Sequence, residues 1–374
     1  MMNLLITHHY FRPMNTALAE NAITLLKAMI ATPSMSREEG PTADLIAHYL
    51  GQNGIETERL GHNIWAKNRH FDPGKPSLLL NSHHDTVKPN PSWTRDPFTP
   101  TVEGDVLYGL GSNDAGGCLV SLLATFVHLY NRTDLSHNLV MAATAEEEIS
   151  GRGGIESLLP HLPPLAVAIV GEPTQMQLAI AEKGLLVLDC VVQGRAGHAA
   201  RDEGENALYK ALPAIQWFQH YAYPKVSPLL GPVKQSVTII QAGTQHNVVP
   251  DVCTFTVDVR VTEQYTLEDI LAIVRENVPA LATVTPRSVR LRPSGIALNH
   301  PLVQAGLALG RTTYGSPTLS DQALLTQDGR VIPSLKCGPG HSERSHTADE
   351  FVLLSEIEAG IAGYIDLLAG IGVG

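Results

Sequence analysis

The chain has 374 residues, of which 44% are hydrophobic and 17% charged, a soluble globular composition with room for one large domain or two ordinary ones. Its formal charge of −11 disfavours a nucleic-acid partner, because phosphate backbones are bound by Lys and Arg clusters and no such run occurs here. No apolar stretch is long enough to span a bilayer, the segment Met1 to Arg12 lacks an export-signal pattern, and Cys118, Cys190, Cys253 and Cys337 show no CxxC spacing, so a soluble protein of the reducing cytoplasm is expected.

Apolar residues recur at helical spacing from Ala17 to Ile30, and Pro33-Ser34-Met35-Ser36 breaks the pattern. A second helix, Pro41 to Gln52, is expected to cap at Asn53-Gly54. Ser77 to Asn81 reads as a buried strand that runs into the polar cluster Ser82 to Thr86, and Gly116 to Leu129 as a buried helix. Asn138 to Thr144 and Ala166 to Val170 repeat the strand pattern, ending at Glu146-Glu147-Glu148 and at Gly171-Glu172-Pro173. Buried strands alternating with helices imply an α/β domain with a mainly parallel sheet flanked by helices, whose ligands sit beyond the carboxyl ends of the strands. After Glu182 the pattern changes: strands at Leu185 to Gln193, Ser236 to Gln241 and Cys253 to Val261, with helices near Asn206 to His220 and Thr266 to Val278, predict an inserted α+β domain over 183–292. Helices near His300 to Gly310 and Ser355 to Leu368 return the chain to the first domain, which then comprises 1–182 and 293–374.

Catalytic zinc takes His nitrogen and carboxylate oxygen and keeps a position open for water. Candidate ligands of that chemistry are His83, Asp114, Glu148, Glu172 and His346, from five separate loops. Residues two apart on a strand face the same way, so His83 and Asp85 can point into one site, with Asp85 accepting the second ring N–H of His83. His84 is an alternative ligand, and Asp114, opening a helix after a glycine-dense loop, is alternatively a helix N-cap. In Glu146-Glu147-Glu148 the functional reading gives Glu148 to a metal and makes Glu147 the general base, against the plainer reading of a solvated helix start. His341 and His346 are not separable on sequence grounds.

Together, Ser82-His83-His84-Asp85-Thr86-Val87, Gly111-Ser112-Asn113-Asp114, Glu146-Glu147-Glu148, Gly171-Glu172-Pro173-Thr174 and Ser345-His346-Thr347-Ala348-Asp349-Glu350 resemble the zinc peptidase family of acetylornithine deacetylase, succinyl-diaminopimelate desuccinylase, aminoacylase and carboxypeptidase G. The resemblance implies an amidohydrolase with two Zn²⁺ per subunit, Co²⁺ or Mn²⁺ being possible substitutes. It implies that Asp114 bridges the metals, that His83 and Glu172 complete one shell and Glu148 and His346 the other, with Glu147 as base and Asp85 as orienting acid. It further implies a homodimer formed through the inserted domain, with His198 of Gly194-Arg195-Ala196-Gly197-His198 reaching the partner's site to stabilise the oxyanion. Asn247 and Arg260 match substrate contacts, and Arg344 is a further candidate for a substrate carboxylate. The segments Gly315 to Gln322 and Ser342 to His346 resemble the branch acting on N-acyl-ornithine or N-acetylcitrulline in arginine biosynthesis. Two departures stand out: Ala115-Gly116-Gly117 follows Asp114 where many members carry Lys-Gly, and Lys88 separates Val87 from Pro89. A di- or tripeptidase or desuccinylase is the rival within the family. A non-catalytic α/β binding protein is the rival outside it, disfavoured because every ligand position is filled.

Overall fold

The computed structural model describes residues 16–279 and 282–373, so the segment Met1 to Arg12 lies outside the described residues. Two compact units divide the chain.

The first unit comprises residues 1–177, 304–311 and 337–374. Its helix Thr16–Ile30 buries Ala19, Ala22, Leu25, Leu26, Met29 and Ile30, one apolar stripe at the expected spacing. The helix Gly40–Gln52 begins with Pro41, whose missing N–H costs nothing in the first turn. It ends as expected at Asn53-Gly54: Gly54 adopts φ 71°, and the amides of Gly54 and Ile55 return to the carbonyls of Gly51 and Leu50 at 3.0 and 3.1 Å.

The unit's sheet runs in the order Glu58–Leu60, Asn63–Lys67, Asn138–Thr144, Ser77–His83, Leu165–Val170. The last three strands are mutually parallel, and the first two form an antiparallel hairpin on the edge. Every residue of Ser77–His83 and Asn138–Thr144 is buried, which explains their continuous apolar sequence. The register is what positions the site. His83 lies opposite Thr144, and Asn81 opposite Val170, so three chains leave the sheet side by side at one edge. The helices Gly117–Leu129 and Leu354–Ala369 pack against each other, the first buried along nearly its whole length. A small antiparallel sheet of Thr101–Glu103, Val106–Tyr108 and Phe351–Leu353, not anticipated from sequence, ties the C-terminal segment to the loop before Asp114.

The second unit comprises residues 178–303 and 312–336. A four-stranded antiparallel sheet runs in the order Lys234–Ala242, Val252–Val261, Gly184–Gln193, Ala282–Pro286. Alternate residues of Gly184–Gln193 are buried, so one face carries the core, where Leu186, Leu188, Phe255 and Val257 meet Phe218, Ile270 and Val274 of the helices Ala207–His220 and Leu267–Asn277. Asn206 and Thr266 cap those helices by accepting backbone N–H groups. The unit also pairs Leu178–Glu182 with Ser294–Gly295, Thr313–Ser316 and Ser334–Lys336, burying a Glu182–Lys336 ion pair at 3.1 Å. Among the described residues no helix is long and apolar enough to cross a membrane.

Candidate metal centre

The three loops leaving the sheet edge carry His83, Glu147 with Glu148, and Glu172, and the turn Ser112–Gly116 and the segment after Arg344 bring Asp114 and His346 to them. All belong to the first unit. Asp114 divides its carboxylate: Oδ1 lies 3.3 Å from Nε2 of His83, and Oδ2 lies 3.5 Å from Nε2 of His346. On the first side Glu172 is 3.9 Å from His83, and on the second Glu148 is 2.9 Å from His346. Donor atoms of His83, Asp114 and Glu172 fall within 4.8 Å of one another, as do those of Asp114, Glu148 and His346. Tetrahedral ligands about 2 Å from a zinc ion stand about 3.3 Å apart, close to both separations from Asp114. The donor set therefore fits two cations that share one carboxylate. Glu147 lies beside it, 3.8 Å from His83.

The charge balance points the same way. Burial works against the charged form of His83, yet Glu147 and the hydrogen bonds of Asp114 and Asp85 overcome it and hold the imidazole well above the usual histidine range. The hydrogen bond that His346 donates to Glu148, with the charges of Glu148 and Asp114, moves its imidazole up to about 9. Burial raises Glu148, and it opposes ionisation of Asp114 too, but there His83 and His346 win and the carboxyl is lowered. Five carboxylates crowd two imidazoles, and divalent cations would supply the missing positive charge.

Two further sets of contacts fix the loops. Nδ1 of His83 meets the backbone carbonyl of Asp85 at 3.0 Å and its carboxylate at 3.4 Å. The Asp85 carboxylate chiefly accepts the amides of Glu147 and Glu148 at 3.0 and 3.2 Å and the Ser36 hydroxyl at 2.7 Å. Glu39, wholly buried, accepts the Glu146 amide at 3.1 Å. The structure also separates His84 from His83. Burial lowers His84 to about 4, so its ring is neutral; Nε2 donates to the His62 carbonyl at 3.0 Å and Nδ1 accepts from Thr42 at 2.8 Å, away from the other donors.

The sequence profile described as peptidase family M20/M25/M40 matches residues 79–370. The acetylornithine deacetylase of Shigella sonnei is 30% identical over 88% of this chain and 92% of its own length. This chain belongs to the M20/M25/M40 peptidase family. Another acetylornithine deacetylase, from Edwardsiella ictaluri, is 28% identical over 91% of the chain and 94% of that protein. A dinuclear-metal-binding peptidase of the M20 family from Bacillus subtilis shares the fold at a TM-score of 0.72 and 17% identity, covering 96% of this chain and 99% of that one. A tripeptidase from Staphylococcus aureus does so at 0.74 and 17%, covering 95% and 98%. Membership makes the chain an enzyme of the metallopeptidase and amidohydrolase class.

Of the remaining candidates in this M20-family chain, His198, Asn247 and Arg260 belong to the second unit and Arg344 to the first. His198, exposed, sits in the two-residue strand Gly197–His198 that pairs with Val248–Val249 in the second unit, and the Ala199 amide donates to the Asn247 carbonyl at 2.9 Å, which joins those two loops. Arg260 is bidentate to Asp258 at 2.9 and 3.1 Å. Arg344 is bidentate to Glu356 at 2.7 and 3.1 Å and lies over the Phe351 ring, so its fork is already engaged within the first unit. Sequence reasoning missed Glu39, Ser36 and Glu350. Burial and the charge of Asp114 push Glu350 up to about 8. Their partners are remote in the chain, and only the Asp349-Glu350 pair closing the His346 motif drew notice.

Proposed function

We propose that this chain is a two-zinc deacylase that hydrolyses the amide bond of an N-acyl amino acid, with N-acetyl- or N-succinylornithine or N-acetylcitrulline as substrate, in cytoplasmic arginine biosynthesis. The observation that carries this reading is the divided carboxylate of Asp114, one oxygen toward His83 and the other toward His346. His83, Asp114 and Glu172 would hold one ion, and Asp114, Glu148 and His346 the other. Two such ions, when bound, would supply an activated water and polarise the scissile carbonyl. Glu147 takes the proton from the attacking water and passes it to the departing amine. Asp85 keeps Glu147 and Glu148 in place through their amides. Nδ1 of His198 accepts the Ala200 amide at 3.1 Å, so in the neutral ring Nε2 carries the proton and can donate to the oxyanion of a second copy's substrate.

The homodimer belongs to the same proposal, formed through the inserted domain 183–292. Lys234–Ala242 is an edge strand with Ile239 and Ile240 about half exposed, at 50% and 47%. Tyr209 and Leu212 of the neighbouring helix are exposed as well. An apolar edge of this kind invites pairing with another strand.

The test is a substrate panel on the zinc-loaded chain: acetylornithine, succinylornithine, acetylcitrulline and small di- and tripeptides. Turnover of an acylated amino acid, abolished in Glu147→Ala with zinc content unchanged, is the expected result. Turnover of peptides alone would move the chain to the peptidase reading, which similarity to the tripeptidase fold keeps in view. Activity retained in Glu147→Ala removes the base assignment.

A further inference from the structure

The loop that carries Asp114 has little regular structure of its own, so its amides need acceptors from elsewhere. One residue provides three of them. The carboxylate of Glu350, 2% exposed, accepts the amides of Asn113 and Asp114 on Oε1 at 2.8 and 2.9 Å and that of Gly111 on Oε2 at 3.0 Å. The small antiparallel sheet sets Glu350 there: Phe351 lies opposite Tyr108, and the Glu350 carbonyl extends the ladder by accepting the Gly109 amide at 3.0 Å. On the other side of the turn Gly111 has φ 73°, and a Cβ there would stand 2.5 Å from Thr86 Cγ2. The turn is held from two directions, and Asp114 leaves it with its two oxygens aimed at different imidazoles.

We propose that Glu350 is a positioning residue of the metal centre, fixing the orientation in which Asp114 serves both metal positions. The inference rests on the reading of Asp114 as the shared ligand. Glutamine at 350 would keep one accepting oxygen and turn its NH₂ toward an amide N–H, most cheaply that of Gly111, because Oε1 serves two partners. Asn113 and Asp114 would then share a neutral acceptor in place of a carboxylate and Gly111 would have none, which loosens the turn that aims the Asp114 carboxylate. Since that carboxylate faces both donor sets, both metal positions weaken together, which a defect confined to His346 or Glu172 does not produce.

Zinc competition against a chromophoric chelator measures this on the full-length chain. Wild type is expected to bind two Zn²⁺ per chain, and Glu350→Gln to weaken both by about 10- to 100-fold, the usual effect of losing an outer-shell partner. His346→Ala should weaken one only. Unchanged zinc constants in Glu350→Gln, even with a lowered unfolding temperature, overturn the inference and leave the centre standing. A wild-type chain that takes up no zinc overturns the reading of the centre itself. If the variant does not fold, amide exchange of the zinc-loaded wild type decides. Protection of Gly111, Asn113 and Asp114 supports the clamp, and exchange at open-loop rates removes it.

Discussion

Replacing Asp85 with Asn tests whether the acid loop is held by one buried carboxylate. Oδ1 accepts the Glu147 amide at 3.0 Å and lies 3.4 Å from Nδ1 of His83, whereas Oδ2 accepts the Glu148 amide at 3.2 Å and the Ser36 hydroxyl at 2.7 Å. The Asn side chain would place its NH₂ at the Oδ2 position, because Ser36 can switch to accepting. The Glu147 bond then survives as a neutral one and the Glu148 bond is lost. A hydrogen bond to a charged group is worth about 1.5–3 kcal/mol and a neutral one about 1, so the change costs about 3 kcal/mol. That energy shifts the loop's conformational equilibrium by about two powers of ten. Because the loop bears the proposed base, kcat should fall about 100-fold, with KM changing far less. Steady-state kinetics with zinc content checked on the same sample is the assay. A kcat within threefold of wild type would refute the argument that Asp85 acts through the loop amides.

Three more outcomes follow from the same geometry. Asp114→Asn should lose both zinc ions and His346→Ala one of the two, as measured by elemental analysis; an Asp114→Asn chain that keeps both contradicts the shared ligand. The pH dependence of the metal-free chain is fixed in sign. His346 rises from 6.5 to about 9 and Glu350 from 4.5 to about 8 on folding, so the folded chain holds more protons and must lose stability as pH climbs from 6.5 to 9. Stabilisation by added zinc should grow over the same range, because the ligands must deprotonate; thermal unfolding with chelator and with zinc checks both, and a metal-free chain that gains stability toward pH 9 shows the sign to be wrong. Ile240→Lys, on the exposed edge strand, should convert a dimer to a monomer in light scattering, and a monomeric wild type would sink the dimer proposal.

The parts of the fold that were legible in sequence are those whose signal is local. Ser77–His83, Asn138–Thr144 and Leu165–Val170 are continuous apolar runs because they are buried on both faces, and their polar ends betrayed the edge where the donors gather. The first helix is announced by its apolar stripe and the second by its Asn53-Gly54 stop. The strands Thr101–Glu103, Val106–Tyr108 and Phe351–Leu353 did not, since three residues carry too little pattern and the pairing joins distant segments. The same limit hid the amide acceptors. Nothing near Glu350 tells that it binds the Gly111 amide, and nothing near His84 tells that Thr42 and the His62 carbonyl hold its ring. Arg344 is in sequence a candidate for a substrate carboxylate, whereas Glu356, in the first turn of the next helix, already occupies its fork.

The two clamps behind the centre differ in what keeps them charged. Burial opposes ionisation of Asp85, but the hydrogen bond and charge of His83, the Ser36 hydroxyl and the Glu147 amide outweigh it, and its carboxyl stays below the ordinary range. For Glu350, burial and then the charge of Asp114 outweigh the three amides and push it up to about 8. Asp114, Glu147, Glu148 and Glu172 bring four negative charges, which two divalent cations would cancel. Cations there would offset the charge of Asp114, the smaller of the two causes that raise Glu350, while its burial would remain. The acid loop is thus held by an ionised carboxylate, whereas the loop of the shared ligand is held by a carboxyl group that burial and Asp114 both push toward protonation.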